Sequence, residues 1–423
     1  MPRGSASSFL DIGKSAAVYH PVKKGLVVSP ANPYNASMLS LYASFFFVFG
    51  IMAVVNPYLQ VMIRNLGYSH DVVGFLLAVF ETAGIVGPLL VARHVDKHGS
   101  GKNTILLGTI LSALGVLLLM YSTSIWMTMF ALMLLSFFLR SLVPVIDSYA
   151  NNRLNGDAQK YTLLRSGGTI GFVLFSLLLA ITHKPDLTSN NSIGSYALVS
   201  FFLFMLPVLA WKKDPKRREI PPVTSDNTEG KWYDLAFVIG LVIIGLNRIS
   251  MSSIASFFSL YLVEELGVNA ISLMNAIASG SEFGALILAG YLLQRKKVHP
   301  VQLLMISSGA LVVRLLIYAL VPTLGGALVA QFLHSLCYGF FHPAAIFLVA
   351  RRVKRSHRTL GMSMYVSLGI GLPTVLGSIL GGLILEQFGY RALFMGYSLF
   401  ALASVMVGLG NYKRMTSSTL ESI

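Results

Sequence analysis

Long apolar runs separated by short polar breaks dominate the chain. Twelve of them are near the length of about 20 residues that a spanning helix needs: 38–63, 72–92, 103–122, 125–150, 160–182, 194–211, 233–263, 271–293, 300–321, 324–350, 360–384 and 391–411. In lipid, runs this long satisfy their backbone only as helices, and they lack the alternation of barrel strands. The pattern predicts an all-α membrane protein of twelve transmembrane helices. The stretch 212–232, rich in Pro, Asp, Asn, Thr and Lys, divides the helices six and six, as a flexible linker does. The predicted organisation is a 1–34 tail, a 35–211 lobe, the 212–232 linker, a 233–412 lobe and a 413–423 tail. The first 33 residues hold no apolar core followed by a cleavage site. They read as a mobile tail rather than a secretory signal.

Composition supports the membrane class. Of 423 residues, 55% are hydrophobic and 12% charged, which excludes an ordinary soluble fold and intrinsic disorder. A single cysteine, Cys337, excludes a disulfide scaffold. The net charge of +15 would suggest nucleic acid on a soluble protein. Here its placement gives another account. Of 32 Lys and Arg, 25 lie in the two tails and the loops after the even-numbered spans, against Arg64, Lys184 and Arg391 on the other side. The positive-inside rule then places both termini in the cytoplasm and the protein in the cytoplasmic membrane. No nucleic-acid partner is needed.

The halves echo one another. Tyr58-Leu59, Leu66-Gly67 and then Glu81 in the first half match Tyr261-Leu262, Leu266-Gly267 and then Glu282 in the second. Internal repeats of this kind mark transporters whose site lies at the membrane midplane between two moving halves.

An ionisable group in the hydrocarbon region costs at least about 2.5–3.5 kcal/mol and normally lines a pathway. Glu81, Arg140, Asp147, Arg165, Arg248, Glu282, Arg314 and His334 all sit inside predicted spans. Arg140 and Asp147 are seven apart and share a helix face. Asp147 and Arg165 fall at similar depths on adjacent spans, where they either lock the spans together or hold a solute from two sides. Thr169 shares the face of Arg165, and the nearby Gly167, Gly168 and Gly171 suit close helix packing. Glu81, Glu282 and His334 are candidates to carry a proton, and Arg140, Arg248 and Arg314 complete a buried charge network. The four arginines against three acids leave a slight positive excess, which favours an anionic or hydroxyl-rich solute. No phosphate-binding loop, metal-ligand spacing or nucleophile elbow is present, so neither a cofactor, a metal nor an enzymatic activity is expected.

Between spans 2 and 3 lies Asp96-Lys97-His98-Gly99, followed by Lys102. It resembles the loop signature of the major facilitator superfamily, in which these charges latch the halves during rocking. Ala92 stands where that signature usually has glycine. Pro144-Val145-Ile146-Asp147, Arg165-Ser166-Gly167-Gly168-Thr169 and Gln331-Phe332-Leu333-His334 resemble the lactose permease-like branch, which includes phenylpropionate and nucleoside proton symporters. The resemblance implies substrate contacts at Asp147, Arg165, Glu282 and His334, with Arg314 beside them; Thr169, on the face of Arg165, is a further candidate that offers a hydroxyl. Cys337 stands where lactose permease has its proton-coupling glutamate, so the proton step must use another carboxylate or be absent. Span 5 also lacks the Gly-Pro element of the superfamily's antiporters. The expectation is a monomeric transporter that moves a sugar, nucleoside or small organic acid by alternating access, coupled to protons. A passive facilitator, an efflux transporter and a membrane solute sensor are the alternatives.

Overall fold

A computed structural model describes residues 33–154, 157–211 and 232–417. All of the predicted 212–232 linker except Trp232, and most of the 1–34 and 413–423 tails, fall outside those residues. The described chain consists of helices joined by short turns and loops, with one isolated bridge, Tyr233 to Val353. The first lobe holds α1 (Pro33–Arg64), α2 (His70–His98), α3 (Gly101–Met120), α4 (Ile125–Arg153), α5 (Ala158–Ile181) and α6 (Asn190–Leu209). The second begins with α7 (Leu235–Leu260, extended by a π turn at Tyr261–Glu265), α8 (Ile271–Gln294) and α9 (Pro300–Leu320). Next comes α10, in three pieces: Leu324–Phe332, His334–Gly339 and Phe341–Arg352. Pro343 explains its second break, because it has no N–H to offer the Gly339 carbonyl four residues earlier.

Eleven described stretches are long and apolar enough to cross a membrane, and the last, Arg358–Gly410, has 53 residues. As one rod it would measure about 80 Å, far beyond a hydrocarbon core of about 30 Å. It is two spans. Gly389, with φ 76° and ψ 179°, breaks it, and the Tyr397 hydroxyl donates back to the Gly377 carbonyl across the hairpin. We label the halves α11 (358–388) and α12 (390–410). All twelve predicted spans are therefore present. The Gly389 backbone is nearly closed to side-chain-bearing residues, although a Cβ there would meet nothing within 4 Å. Gly389→Ala should thus lower stability by about 1–3 kcal/mol through backbone strain alone. A thermal-unfolding series that includes a Gly→Ala control at Gly396, which lies in regular helix and is equally open, checks this.

With twelve crossings, the start of α1 and the end of α12 share one face, here called proximal; the opposite face is distal. The outer surface is apolar, with Trp126, Phe202, Leu399 and Ile181 all exposed, as a lipid-facing surface requires. Inside, one hydrophobic cluster fills the first lobe and continues into the distal half of the second, through Tyr261, Leu311 and Phe394. A separate cluster of Phe237, Leu304, Phe341 and Val349 fills the proximal half of the second lobe. The core is thus continuous between lobes distally. There α2 crosses α11 closely enough that a Cβ on Gly74 would strike the Ser378 carbonyl.

Each lobe is tied at its proximal end by one basic side chain. Lys102, from the loop motif, donates 2.7 Å bonds to the Leu209 and Trp211 carbonyls, a favourable place for a cation at the end of α6. Gly99 of the same motif, at φ 61°, closes α2 with a left-handed cap. Arg352, buried at the end of α10, bonds Asp234 at 3.0 Å and the carbonyls of Met415 and Ser417. It thereby docks a short final helix, Tyr412–Thr416, within the stretch read from sequence as a tail.

Candidate functional site

A cavity of about 510 Å³ lies between the lobes, walled by α1, α2, α4, α5, α7, α8, α9 and α10. Its charged groups sit near mid-membrane. Glu81 is eleven residues from the distal start of α2 and Glu282 eleven from that of α8, about 16 Å along each axis. Arg248 and Arg314 lie about 20 Å from the proximal starts of α7 and α9. The repeat seen in the sequence therefore has a geometric counterpart. Gly67 and Gly267, which turn α1 into α2 and α7 into α8, both have positive φ, 86° and 65°.

The same helices pair in each lobe. In the first, Arg140 on α4 bonds Glu81 on α2 at 2.5 Å and lies over the Phe80 ring. In the second, His334 Nε2 on α10 lies 3.4 Å from Glu282 on α8. Arg314, 1% exposed, extends that pair into a chain. It donates to His334 Nδ1 at 3.0 Å, to Gln331 Oε1 at 2.5 Å and to the Tyr318 hydroxyl at 3.1 Å. Because a guanidinium can only donate, Nδ1 must accept, and the ring carries its proton on Nε2 facing Glu282. Arg314, neutral His334 and Glu282 thus form a polarised relay with one positive and one negative end. The column continues down α10, where the His334, Tyr338 and His342 rings stack almost parallel at 5.7 and 6.0 Å.

Glu81, Arg140, Thr169, Arg248, Glu282, Arg314 and His334 all line the cavity. Asp147 and Arg165 do not. They stand 3.7 Å apart, with Tyr161 donating to Asp147 at 2.8 Å and Arg165 lying over the Phe49 ring at 4.5 Å. Asp147 is one pair of turns beyond Arg140 on α4, about 10 Å nearer the proximal face. The glycines after Arg165 pack as their size suggests, since a Cβ on Gly171 would strike the Phe46 carbonyl of α1. Asp96 and Lys97 lie at the exposed end of α2, away from the cavity. Among the described residues no group of three His, Cys, Asp or Glu is placed to hold a metal.

Sequence reasoning missed the uncharged polar wall. Asn56, Gln60, Asn275 and Ser279 also line the cavity, beside the Gln331 already named in the His334 motif. A signal existed: amides inside apolar spans face protein or water for the same reason as charges. It also missed a distal cluster. Glu264, at the end of α7, accepts from Arg64 at 2.8 Å, His70 Nε2 at 2.8 Å and the Tyr390 hydroxyl at 2.6 Å. The other ring nitrogen of His70 meets Glu386 of α11 at 2.9 Å. The residues come from five helix ends, so no local spacing announces them.

The model of the MFS_1 like family matches residues 38–396. The chain belongs to that family. A member of the major facilitator superfamily is a multi-pass membrane transporter of solutes rather than an enzyme, and both the fold and the cavity between lobes agree. Among curated proteins, it is 24% identical over 382 residues to a maltose permease of Geobacillus stearothermophilus, covering 88% of this chain and 93% of that one. It is 23% identical over 343 residues to a putative nucleoside transporter, YegT, of Escherichia coli K12, covering 77% and 79%. A shorter match, 27% identical over 143 residues, links it to a probable 3-phenylpropionic acid transporter of the same organism, covering 32% and 35%. Its fold matches the crystal structure of the nucleoside transporter NupG with a TM-score of 0.69, at 18% identity over 91% of this chain and 99% of that one. It also matches a bacterial homologue of the lysosomal transporter Spinster, with a TM-score of 0.70, 13% identity and coverage of 91% and 98%.

Proposed function

We propose that this family member is a proton-coupled symporter of the cytoplasmic membrane, with cytoplasmic termini, working as a monomer by alternating access on a small polar organic solute. The relay of Arg314, His334 and Glu282 at the cavity wall carries the proposal. It places one carboxylate at mid-membrane against a neutral imidazole whose proton faces it, which suits loading and releasing a proton as the solute binds. Glu81, held by Arg140, is the corresponding group of the first lobe. With the lobes bonded and the core continuous distally, the state is read as closed at the distal face and open at the proximal one. Asp147 and Arg165 are assigned to the approach to the cavity, and Thr169 to its wall. The relatives span sugar, nucleoside and aromatic-acid transporters, which supports the solute class at that breadth.

The test is proteoliposomes loaded with a pH-sensitive dye and challenged with maltose, uridine or 3-phenylpropionate. A solute-driven proton flux, collapsed by a protonophore and absent from empty liposomes, is expected for one of them. Solute entry without proton movement would leave a passive facilitator instead.

A further inference from the structure

The cavity holds one positive charge that no acidic side chain among the described residues balances. Glu81 is matched by Arg140, and Glu282 is matched through His334 by Arg314. Arg248 has no such match. It forms no ion pair among the described residues, its Nε is buried without a hydrogen-bond partner, and its guanidinium lies 5.7 Å over the Phe341 ring. Yet it lines the cavity near mid-membrane, where an uncompensated charge is costly.

We infer that Arg248 is the specificity-determining residue of this site, and that the cargo is an organic anion whose carboxylate it binds. The inference rests on the transport site proposed above and narrows its solute class. A guanidinium presents a planar fork of donors that matches a carboxylate bidentately. The remainder of the wall fits an organic rather than an inorganic anion. Phe49, Phe172, Phe258 and Tyr338 supply aromatic surface, while Asn275 and Gln331 supply amides. A volume of about 510 Å³ is that of a site for a small molecule, not for a bare ion. The predicted positive excess among the membrane charges is thereby traced to one side chain.

The test is a binding titration of the purified full-length chain in nanodiscs, using a series of aromatic and aliphatic monocarboxylates beginning with 3-phenylpropionate. The carboxamide of each acid, uridine, maltose and sodium sulfate at matched ionic strength serve as comparisons. At least one carboxylate is expected to bind at least tenfold tighter than its carboxamide. Arg248→Gln should remove that preference, and Arg248→Lys should retain part of it. Because the acid–amide comparison is made on the unmodified protein, a variant that folds poorly does not spoil it. Equal binding of acid and amide, an equal response to sulfate, or no carboxylate binding at all would overturn the inference. Tight binding of uridine or maltose, unchanged in Arg248→Gln, would also overturn it while leaving the transporter reading in place.

Discussion

Glu282→Gln is expected to abolish uphill accumulation of the cargo, by at least tenfold at steady state, while exchange of labelled for unlabelled solute continues. The glutamine keeps an acceptor for His334 Nε2, which lies 3.4 Å from the carboxylate, but it cannot take up a proton. If Glu282 is the coupling group, the return step without a proton gradient is no longer linked to solute movement, whereas exchange needs no net proton transfer. Stability should fall as well. Arg314 is 1% exposed and its other partners, Gln331, Tyr318 and His334, are neutral. Removing the carboxylate at the far end of the relay leaves that cation less balanced, at a cost below the roughly 3–5 kcal/mol of a broken direct buried pair, because Glu282 reaches Arg314 only through His334. Uptake and exchange in the same proteoliposomes, together with thermal unfolding, separate the two effects. Retained accumulation would move the proton step to Glu81 or remove it.

Glu264→Gln is expected to release the distal face. One carboxylate there gathers Arg64 and His70 from the first lobe and Tyr390 from its own. Both ring nitrogens of His70 face carboxylates, Glu264 and Glu386, and the ring donates to both only as the imidazolium. Each charge-assisted bond contributes about 1.5–3 kcal/mol when well buried. Here Glu264 is 26% and Arg64 34% exposed, so screening reduces the sum, and a net loss of about 1.4 kcal/mol is a conservative figure. That moves the ratio of distally closed to open molecules about tenfold. Spin labels at Lys184→Cys and Asn269→Cys, both exposed in distal loops, should report a longer inter-lobe distance in the variant. Cys337 is buried and leaves the labelling selective. An unchanged distance distribution would mean that apolar packing and the close crossing of α2 and α11 hold this face without the charges.

Charge was the most legible part of the site, and pairing the least. Each of Glu81, Arg140, Arg248, Glu282, Arg314 and His334 is visible as an anomaly inside an apolar run. Their partners are not visible, because pairing depends on which helices lie side by side. Glu81 meets Arg140, 59 residues away, while Asp147, on the same face of α4, meets Arg165 nearer the membrane surface. Among the described residues that line the cavity, only the α2–α4 and α8–α10 pairings decide that Arg248 is the cation left without a counter-charge. The distal cluster was less legible still. Arg64, His70, Glu264 and Glu386 look like ordinary loop-end residues in the sequence.

What the sequence by itself determined is the class of molecule: twelve apolar runs of spanning length, a basic excess on one side, a division into halves, and charges that have no place in lipid unless they face a cavity. The reason is local. Backbone hydrogen bonding in hydrocarbon must be satisfied within each run, so length and composition alone dictate helices. Tertiary structure alone decided which charges cancel, where the cavity lies, and at which face the lobes touch. Those depend on contacts between residues up to 316 positions apart, such as His70 and Glu386. Long-range electrostatic balance is a property of the packed bundle and is written in no single helix.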